Sequence, residues 1–189
     1  MKGLIIYKSK YGATAQYAEW LGEELALPVH SIEKIDQQEL QGAGYVIIGS
    51  SVYIGKLLVK KWLRKNLALL ENKKIFVFVV GGSTASDSQQ QKAVMKMNFP
   101  DSLLKKCEVF FLPGRLNTEK LSWMDRLKLR MGAMLEKDPV KKNVMRNGID
   151  AVSRPMLNGL MNAVKAFAAN HSTEPPVAEK LQRIIHNFN

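Results

Sequence analysis

The sequence holds a single cysteine, Cys107, among 189 residues. No internal disulfide can form, and His30, His171 and His186 are too scattered to suggest a metal-ligand set. Cys107 itself reads as a small apolar residue opening a strand. No nucleophile, base and orienting acid stand in a recognisable pattern, so no catalytic side chain is assigned. Acidic residues are also scarce: 17 Asp and Glu face 28 Lys and Arg, a net charge of +11. Such an imbalance points to an anionic partner. Nucleic acid is not expected, because zinc-ligand spacing, an aromatic-and-basic strand signature and a basic zipper are all missing. A membrane surface or an anionic small molecule remains. No apolar run reaches the length of a bilayer span, and the opening Met-Lys-Gly-Leu-Ile-Ile-Tyr-Lys is too short for an export signal. The expectation is a cytoplasmic protein, peripheral on the inner face of the membrane at most. An apolar content of 46% excludes a disordered chain.

What is present begins at residue 3. The strand-length run Gly3-Leu4-Ile5-Ile6-Tyr7 meets Ser9-Lys10-Tyr11-Gly12-Ala13-Thr14, and a helical pattern follows with Ala18, Leu21 and Leu25 on one face. Backbone N–H groups at a helix start lack partners and favour an anion. Gly12 permits close approach or positive φ, and Ser9 and Thr14 add hydroxyl donors. These residues also read as an ordinary helix cap. A triphosphate loop would need a Gly-Lys-Ser/Thr ending, and a dinucleotide fingerprint three spaced glycines; neither is here. The stretch resembles the flavodoxin phosphate loop, Ser/Thr-x-Thr-Gly-x-Thr, matching at Ser9, Gly12 and Thr14. It departs at Tyr11, where that family usually carries a small hydroxyl residue. The resemblance implies FMN as cofactor, with Ser9, Lys10, Tyr11, Gly12, Ala13 and Thr14 around its phosphate.

Further apolar runs follow at Pro28 to Ile32, Tyr45 to Gly49, Ile75 to Val80 and Val109 to Leu112, without the alternation of a half-wet strand. Between them, Val59, Trp62, Leu63, Leu67 and Leu70 predict one helix, and Ser88 to Met97 another. Strands alternating with helices predict an α/β doubly wound parallel sheet, whose ligands sit beyond the carboxyl ends of the strands at the switch in strand order. The flavodoxin-like five-stranded order 2-1-3-4-5 puts that switch between the first and third strands. The loop after the third strand, Ser50-Ser51-Val52-Tyr53-Ile54-Gly55, offers hydroxyls, an aromatic Tyr53 able to stack, and a glycine. The loop after the fourth, with Gly81, Gly82 and Ser83, would let a planar ring lie on its backbone. These residues join the expected cofactor site, although Tyr53 also reads as a half-buried surface aromatic and the glycines as turn residues. By resemblance to flavodoxins, the Gly55 carbonyl is expected to turn toward flavin N5.

Between Arg115 and Arg154 ten Lys and Arg oppose five Asp and Glu. Within this stretch Leu121, Met124, Leu127, Met131, Met134 and Leu135 form a stripe at helical spacing. The helical segment at about 119–136 reads either as packed on its own domain or as lying at an anionic lipid surface. The run Trp123-Met124-Asp125-Arg126-Leu127-Lys128 after Pro113-Gly114-Arg115 resembles the helical insertion of the menaquinone-dependent protoporphyrinogen oxidases, flavodoxin-fold enzymes. That resemblance implies a porphyrinogen-like substrate oxidised through FMN, with a quinone as acceptor. A porphyrinogen brings two propionates, for which Arg115, Arg126 and Arg130 are the candidate partners.

The expected layout is a flavodoxin-like FMN-binding domain over 1–170 with a helical basic insertion at about 115–150 after the last strand. A stripe at Met156, Leu160, Ala163, Val164 and Phe167 predicts the last sheet-covering helix. The tail 171–189 follows, with a short helix beyond Pro175-Pro176. A flavodoxin-like electron carrier and a non-catalytic membrane-surface module are the alternative readings.

Overall fold

Five runs become parallel strands, and the three central ones, Gly3–Lys8, Tyr45–Tyr53 and Lys74–Gly81, are buried on both faces by helices while the two edge strands are mostly half-buried. A computed structural model describes residues 1–82 and 88–171. Strands β1 (Gly3–Lys8), β2 (Val29–Ser31), β3 (Tyr45–Tyr53), β5 (Lys74–Gly81) and β6 (Cys107–Pro113) lie in the order β2-β1-β3-β5-β6, all parallel. A two-residue strand, β4 (Lys56–Leu57), pairs antiparallel with the end of β3. With that addition set aside, the order is the doubly wound 2-1-3-4-5 expected from the sequence.

Alternate side chains of each strand go to opposite layers. Leu4 and Ile6 join one core with Val46, Ile48, Val77 and Val79, while Ile5 joins the other with Ile47, Phe76 and Phe78. The first core is covered by α2 (Gln37–Gly42), α3 (Lys60–Lys65), α4 (Leu67–Leu70), α5 (Ser88–Asn98) and α6 (Asp101–Leu104). The second is covered by α1 (Ala13–Leu25) and by the helix numbered α9 below. Between β6 and that helix the chain makes an excursion. Its neck is a two-stranded ribbon, β7 (Arg115–Leu116) against β8 (Ile149–Asp150), and it carries α7 (Trp123–Leu135) and α8 (Pro139–Asn147). A 3-10 turn at Arg154–Leu157 then leads into α9 (Asn158–Asn170). Tyr17 on α1, fully buried, fastens the neck: its hydroxyl donates to the Pro113 carbonyl at 3.0 Å and accepts from the Ser153 N–H at 3.3 Å.

One expectation changes. The single helix predicted across residues 59–70 is two, α3 and α4, divided at Asn66. There the backbone leaves helical values, with φ −106° and ψ 18°, while the Asn66 backbone N–H and side-chain amide both donate to the Trp62 carbonyl, at 3.0 and 2.9 Å. Along the stripe on the insertion, which the sequence leaves open to two readings, Leu121 is buried, whereas Met134 and Leu135 are 77% and 81% exposed. The tail helix expected after Pro175, and Ser83 in the loop after the fourth core strand, lie outside the described residues. Cys107 is half-buried, and burial pushes its thiol up to about 12, so it stays protonated at neutral pH.

Close packing sets one residue outright. Gly49 pairs with Phe78 across β3 and β5, and a Cβ at Gly49 would overlap the fully buried Phe78 ring. Gly49→Ala is expected to destabilise the fold by about 1–3 kcal/mol, as overpacking does. Adding Phe78→Leu should recover part of that loss in a double-mutant cycle measured by denaturant unfolding.

Candidate functional site

The β1–β3 pairing runs from Gly3↔Tyr45 to Lys8↔Ser50, so the loops leaving both strands emerge side by side at the carboxyl edge. The first loop ends at Gly12, which holds φ +89° as the residue before α1 and leaves open space where a Cβ would stand. An L side chain rarely adopts this φ, so glycine is fixed here by the backbone. Its N–H donates to Ser9 Oγ at 3.1 Å, while no side chain among the described residues caps the first turn of α1. The uncapped N–H groups of that turn remain available to an anion. Thr14, fully buried, joins its hydroxyl to Ser51 Oγ at 2.7 Å and locks the two loops together.

The second loop is a tight hairpin. Tyr53 pairs with Lys56, and the two residues between, Ile54 and Gly55, both have positive φ, 49° and 69°. A two-residue turn with this pair of signs is the type I′ form that suits the twist of antiparallel strands. Gly55 adopts it freely, whereas Ile54 is β-branched and strained there. Its side chain is 67% exposed at the mouth of the cavity described next. The Gly55 carbonyl accepts from Asn98 Nδ2 at 2.9 Å. The buried amide of Asn98 also donates to the Val94 carbonyl, and its oxygen accepts from the Leu57 N–H, which pins the hairpin to α5.

A cleft of about 470 Å³ opens over this edge. Its floor is made by Tyr11, Ala13, Ser51 to Gly55, Val80, Gly81 and Gly82. Ser9, Lys10, Gly12, Thr14 and Ser50 lie just outside its lining, Ser50 being buried behind. The roof is the insertion: Asp125, Lys128, Leu129 and Gly132 from α7, and Val144 and Met145 from α8. Of the three arginines grouped in the sequence, only Arg115 lines this cleft, and it is engaged by Asp150 Oδ2 at 2.7 Å and Gln16 Oε1 at 2.9 Å. Arg126 and Arg130 open instead onto a second cleft of about 510 Å³. The three do not converge, because Arg115 belongs to the neck ribbon and the other two to the far side of α7.

Asp125 joins roof to floor. Its Oδ2 accepts from Lys10 Nζ at 2.6 Å and from the Tyr11 hydroxyl, and its Oδ1 accepts from the Tyr53 hydroxyl. The carboxylate is buried, and the hydrogen bonds from Lys10, Tyr11 and Tyr53, in that order, hold it well below the usual carboxylate range against the opposing effect of burial. Burial first, and then the bond to Asp125, push the Tyr11 hydroxyl above its ordinary value. Lys10 Nζ also stands 3.5 Å from the centroid of the Tyr53 ring, a cation–π contact that occupies one face of the ring expected to stack. Nothing local pointed to this role. Asp125 lies three residues after Ser122, whose Oγ accepts from its N–H at 3.2 Å, so in sequence it reads as the acidic member of a helix cap.

No group of His, Cys, Asp and Glu able to hold a metal ion occurs among the described residues, and no described helix is long and apolar enough to cross a membrane.

The family model described as "Flavodoxin domain" matches residues 4–143. Solved structures with a similar fold include a WrbA-like flavodoxin from Agrobacterium tumefaciens, at 16% identity over 77% of this chain and 97% of its own, with a TM-score of 0.47. Oxidised flavodoxin 1 from Bacillus cereus shares 17% identity over 70% of this chain and 95% of its own, with a TM-score of 0.46. A variant flavodoxin from Fusobacterium nucleatum, solved with flavin mononucleotide, shares 16% over 65% and 74%, with a TM-score of 0.39. No curated protein matches the chain.

Asp125 sets a pH dependence whose sign follows from its lowered folded value. Its contribution is fully present above the unfolded carboxylate value of about 3.9 and is lost as the pH falls through the folded one. At pH 7 Asp125→Asn should melt below the parent, and the gap should narrow steadily as the pH is taken below about 4. Thermal unfolding across that range checks it; a gap independent of pH would remove the carboxylate charge from the account.

Proposed function

The chain belongs to the flavodoxin domain family, and from that premise we propose that it is an FMN-dependent oxidoreductase of the protoporphyrinogen oxidase type. The observation that carries the reading is the roofed cleft: a phosphate-sized helix start and two loops form its floor, and a helical insertion covers it. The loop residues suit FMN. The uncapped first turn of α1 would take the phosphate, with the Ser9 hydroxyl at hand, and the small residues Gly81 and Gly82 leave room for a flat ring beside Tyr53. When bound, FMN supplies the redox chemistry, accepting electrons from one partner and passing them to another.

The chain's own residues then have to orient the ring, keep water from it and admit a substrate. Thr14 and Ser51 fix the two floor loops relative to each other. Asp125 draws Lys10, Tyr11 and Tyr53 together beneath α7, so that the charged group nearest the cavity is neutralised by its own donors. Leu129, Val144 and Met145 give the roof an apolar underside suited to a large ring compound. A porphyrinogen-like substrate and a quinone acceptor are both ring compounds of that kind.

A quinone resides in lipid, and the outward face of the insertion suits a lipid surface. At about 100° per residue, Trp123, Met124, Leu127, Met131, Met134 and Leu135 share one side of α7, opposite Asp125, Leu129 and Ala133. Arg130 and Lys128 border that side, and Val140 on α8 is 70% exposed. An exposed apolar face with basic borders is the pattern of an interfacial helix on anionic lipid.

Two measurements test these proposals. The purified protein should be yellow, release FMN on denaturation, and oxidise protoporphyrinogen anaerobically only when menaquinone is supplied. A well-folded protein that refuses FMN, or a flavoprotein inert toward the porphyrinogen, would defeat the assignment. Separately, the protein should cosediment with anionic vesicles. The double substitution of Leu127→Glu and Met134→Glu should lower that partitioning at least about tenfold, since burying each large apolar side chain is worth about 1.5–3 kcal/mol. Unchanged cosedimentation would move the contact elsewhere.

A further inference from the structure

The second cleft lies between α7 and α8, on the side of α7 next to its exposed apolar face, and its charge is concentrated. Arg126, Arg130 and Arg146 line it against one acidic residue, Glu119. Arg126 and Arg130 are four residues apart and therefore neighbours on the same face of α7, while Arg146 comes from the last turn of α8. Arg126 donates one Nη2 bond to the Glu119 carbonyl at 3.1 Å. Arg130 and Arg146 have no hydrogen-bond or ion-pair partner among the described residues. Three guanidinium groups around a cavity of ligand size, none of them paired with a carboxylate among the described residues, present an excess of donors matched in geometry to carboxylates.

The cleft is not isolated. Leu129 and Met145 line both it and the roofed cleft over the sheet edge, so these two side chains are the wall between the two spaces. Met145 is unbranched and polarizable, able to repack around a ring passing beside it. A molecule with a broad apolar body and two acidic groups at one edge fits this pair of spaces. Its body meets Leu129 and Met145, and its acidic edge lies among the arginines.

Resting on the oxidoreductase reading above, we propose that Arg126, Arg130 and Arg146 form the seat for the substrate's two carboxylates, with Leu129 and Met145 against its ring. Arg115 has no part in this seat, since Asp150 and Gln16 already hold its guanidinium in the other cleft. Glu119 is the one acidic residue of the lining, and it meets Arg126 through its backbone carbonyl.

The probe is protoporphyrin, a planar dicarboxylate, titrated into the FMN-loaded protein and followed by porphyrin absorbance, with its dimethyl ester as the uncharged counterpart. The wild-type protein should prefer the diacid. Arg146→Gln and Arg126→Gln should each weaken the diacid by about tenfold to a hundredfold, the range for losing one charged hydrogen bond. Ester affinity and flavin content should not move, and Arg146→Lys should fall between. The exposed Arg64→Gln controls for net charge and should bind as the parent does. Equal wild-type affinity for diacid and ester, or arginine variants that keep their diacid affinity, would overturn the seat. Variants that keep the diacid but lose anionic vesicles would also overturn it, in favour of a lipid headgroup. Arginine-dependent diacid binding without porphyrinogen turnover would uphold the seat and sink the activity. Turnover with an unaltered KM in the variants would do the reverse.

Discussion

Everything at the carboxyl edge depends on β1 and β3 being hydrogen-bonded neighbours although a strand and two helices separate them in the chain. Their parallel register carries both strand ends to the same height, Lys8 beside Ser50, and the crossover sends the next elements to opposite sides. A crevice at that point is a property of the topology, not of any one residue. Side chains then specialise it. Thr14 and Ser51 bind the two loop bases together, the type I′ hairpin turns Ile54 outward, and Asn98 holds the hairpin down from the opposite layer. The strain at Ile54 sits at the cavity mouth, where a large apolar side chain gains contact with whatever ring enters.

The insertion solves a different problem. It is joined to the domain through a narrow ribbon and offers little apolar surface to the core, with Leu121 and Ala133 its only buried apolar residues between 117 and 148. Polar contacts have to orient it. Asp125 does so with a single carboxylate shared by three donors from two loops, two on Oδ2 and one on Oδ1. A buried charge is expensive unless it is paired and hydrogen-bonded, so the arrangement stands only when α7 and both loops are in place together. Apolar packing alone would have tolerated a sliding helix; a directional carboxylate does not.

Much of this was legible in the residues. The apolar runs of β1, β3 and β5 announce strands buried on both sides, and Gly12 announces the positive-φ turn that precedes α1, because both signals are local. Periodicity located the helices but not always their ends: the stripe from Val59 to Leu70 continues in phase across Asn66, where the backbone dihedrals, φ −106° and ψ 18°, leave the helical range. Nor does a stripe say which way it faces. Met124, Leu127 and Met131 have the spacing of a core helix and point to solvent, because the core-facing side of α7 is taken by Asp125, Leu129 and Ala133. The contacts of Asp125 span 114 and 115 residues to the first loop, and no local pattern encodes them. Arg146 escaped notice for the same reason, as it meets Arg126 and Arg130 only once α8 has folded back on α7.

Asp125 and Arg126 are consecutive on α7, one gripping the loops of the first cleft and the other lining the second. Any free energy that an occupant of the first space gains from a firmly seated α7 is then shared with an occupant of the second. Thermodynamic linkage makes the exchange symmetrical: a factor by which one ligand tightens the other must be returned in full. A carboxylate placed one residue from a guanidinium, on a helix with a cavity on either side, puts both pockets against the same structural element.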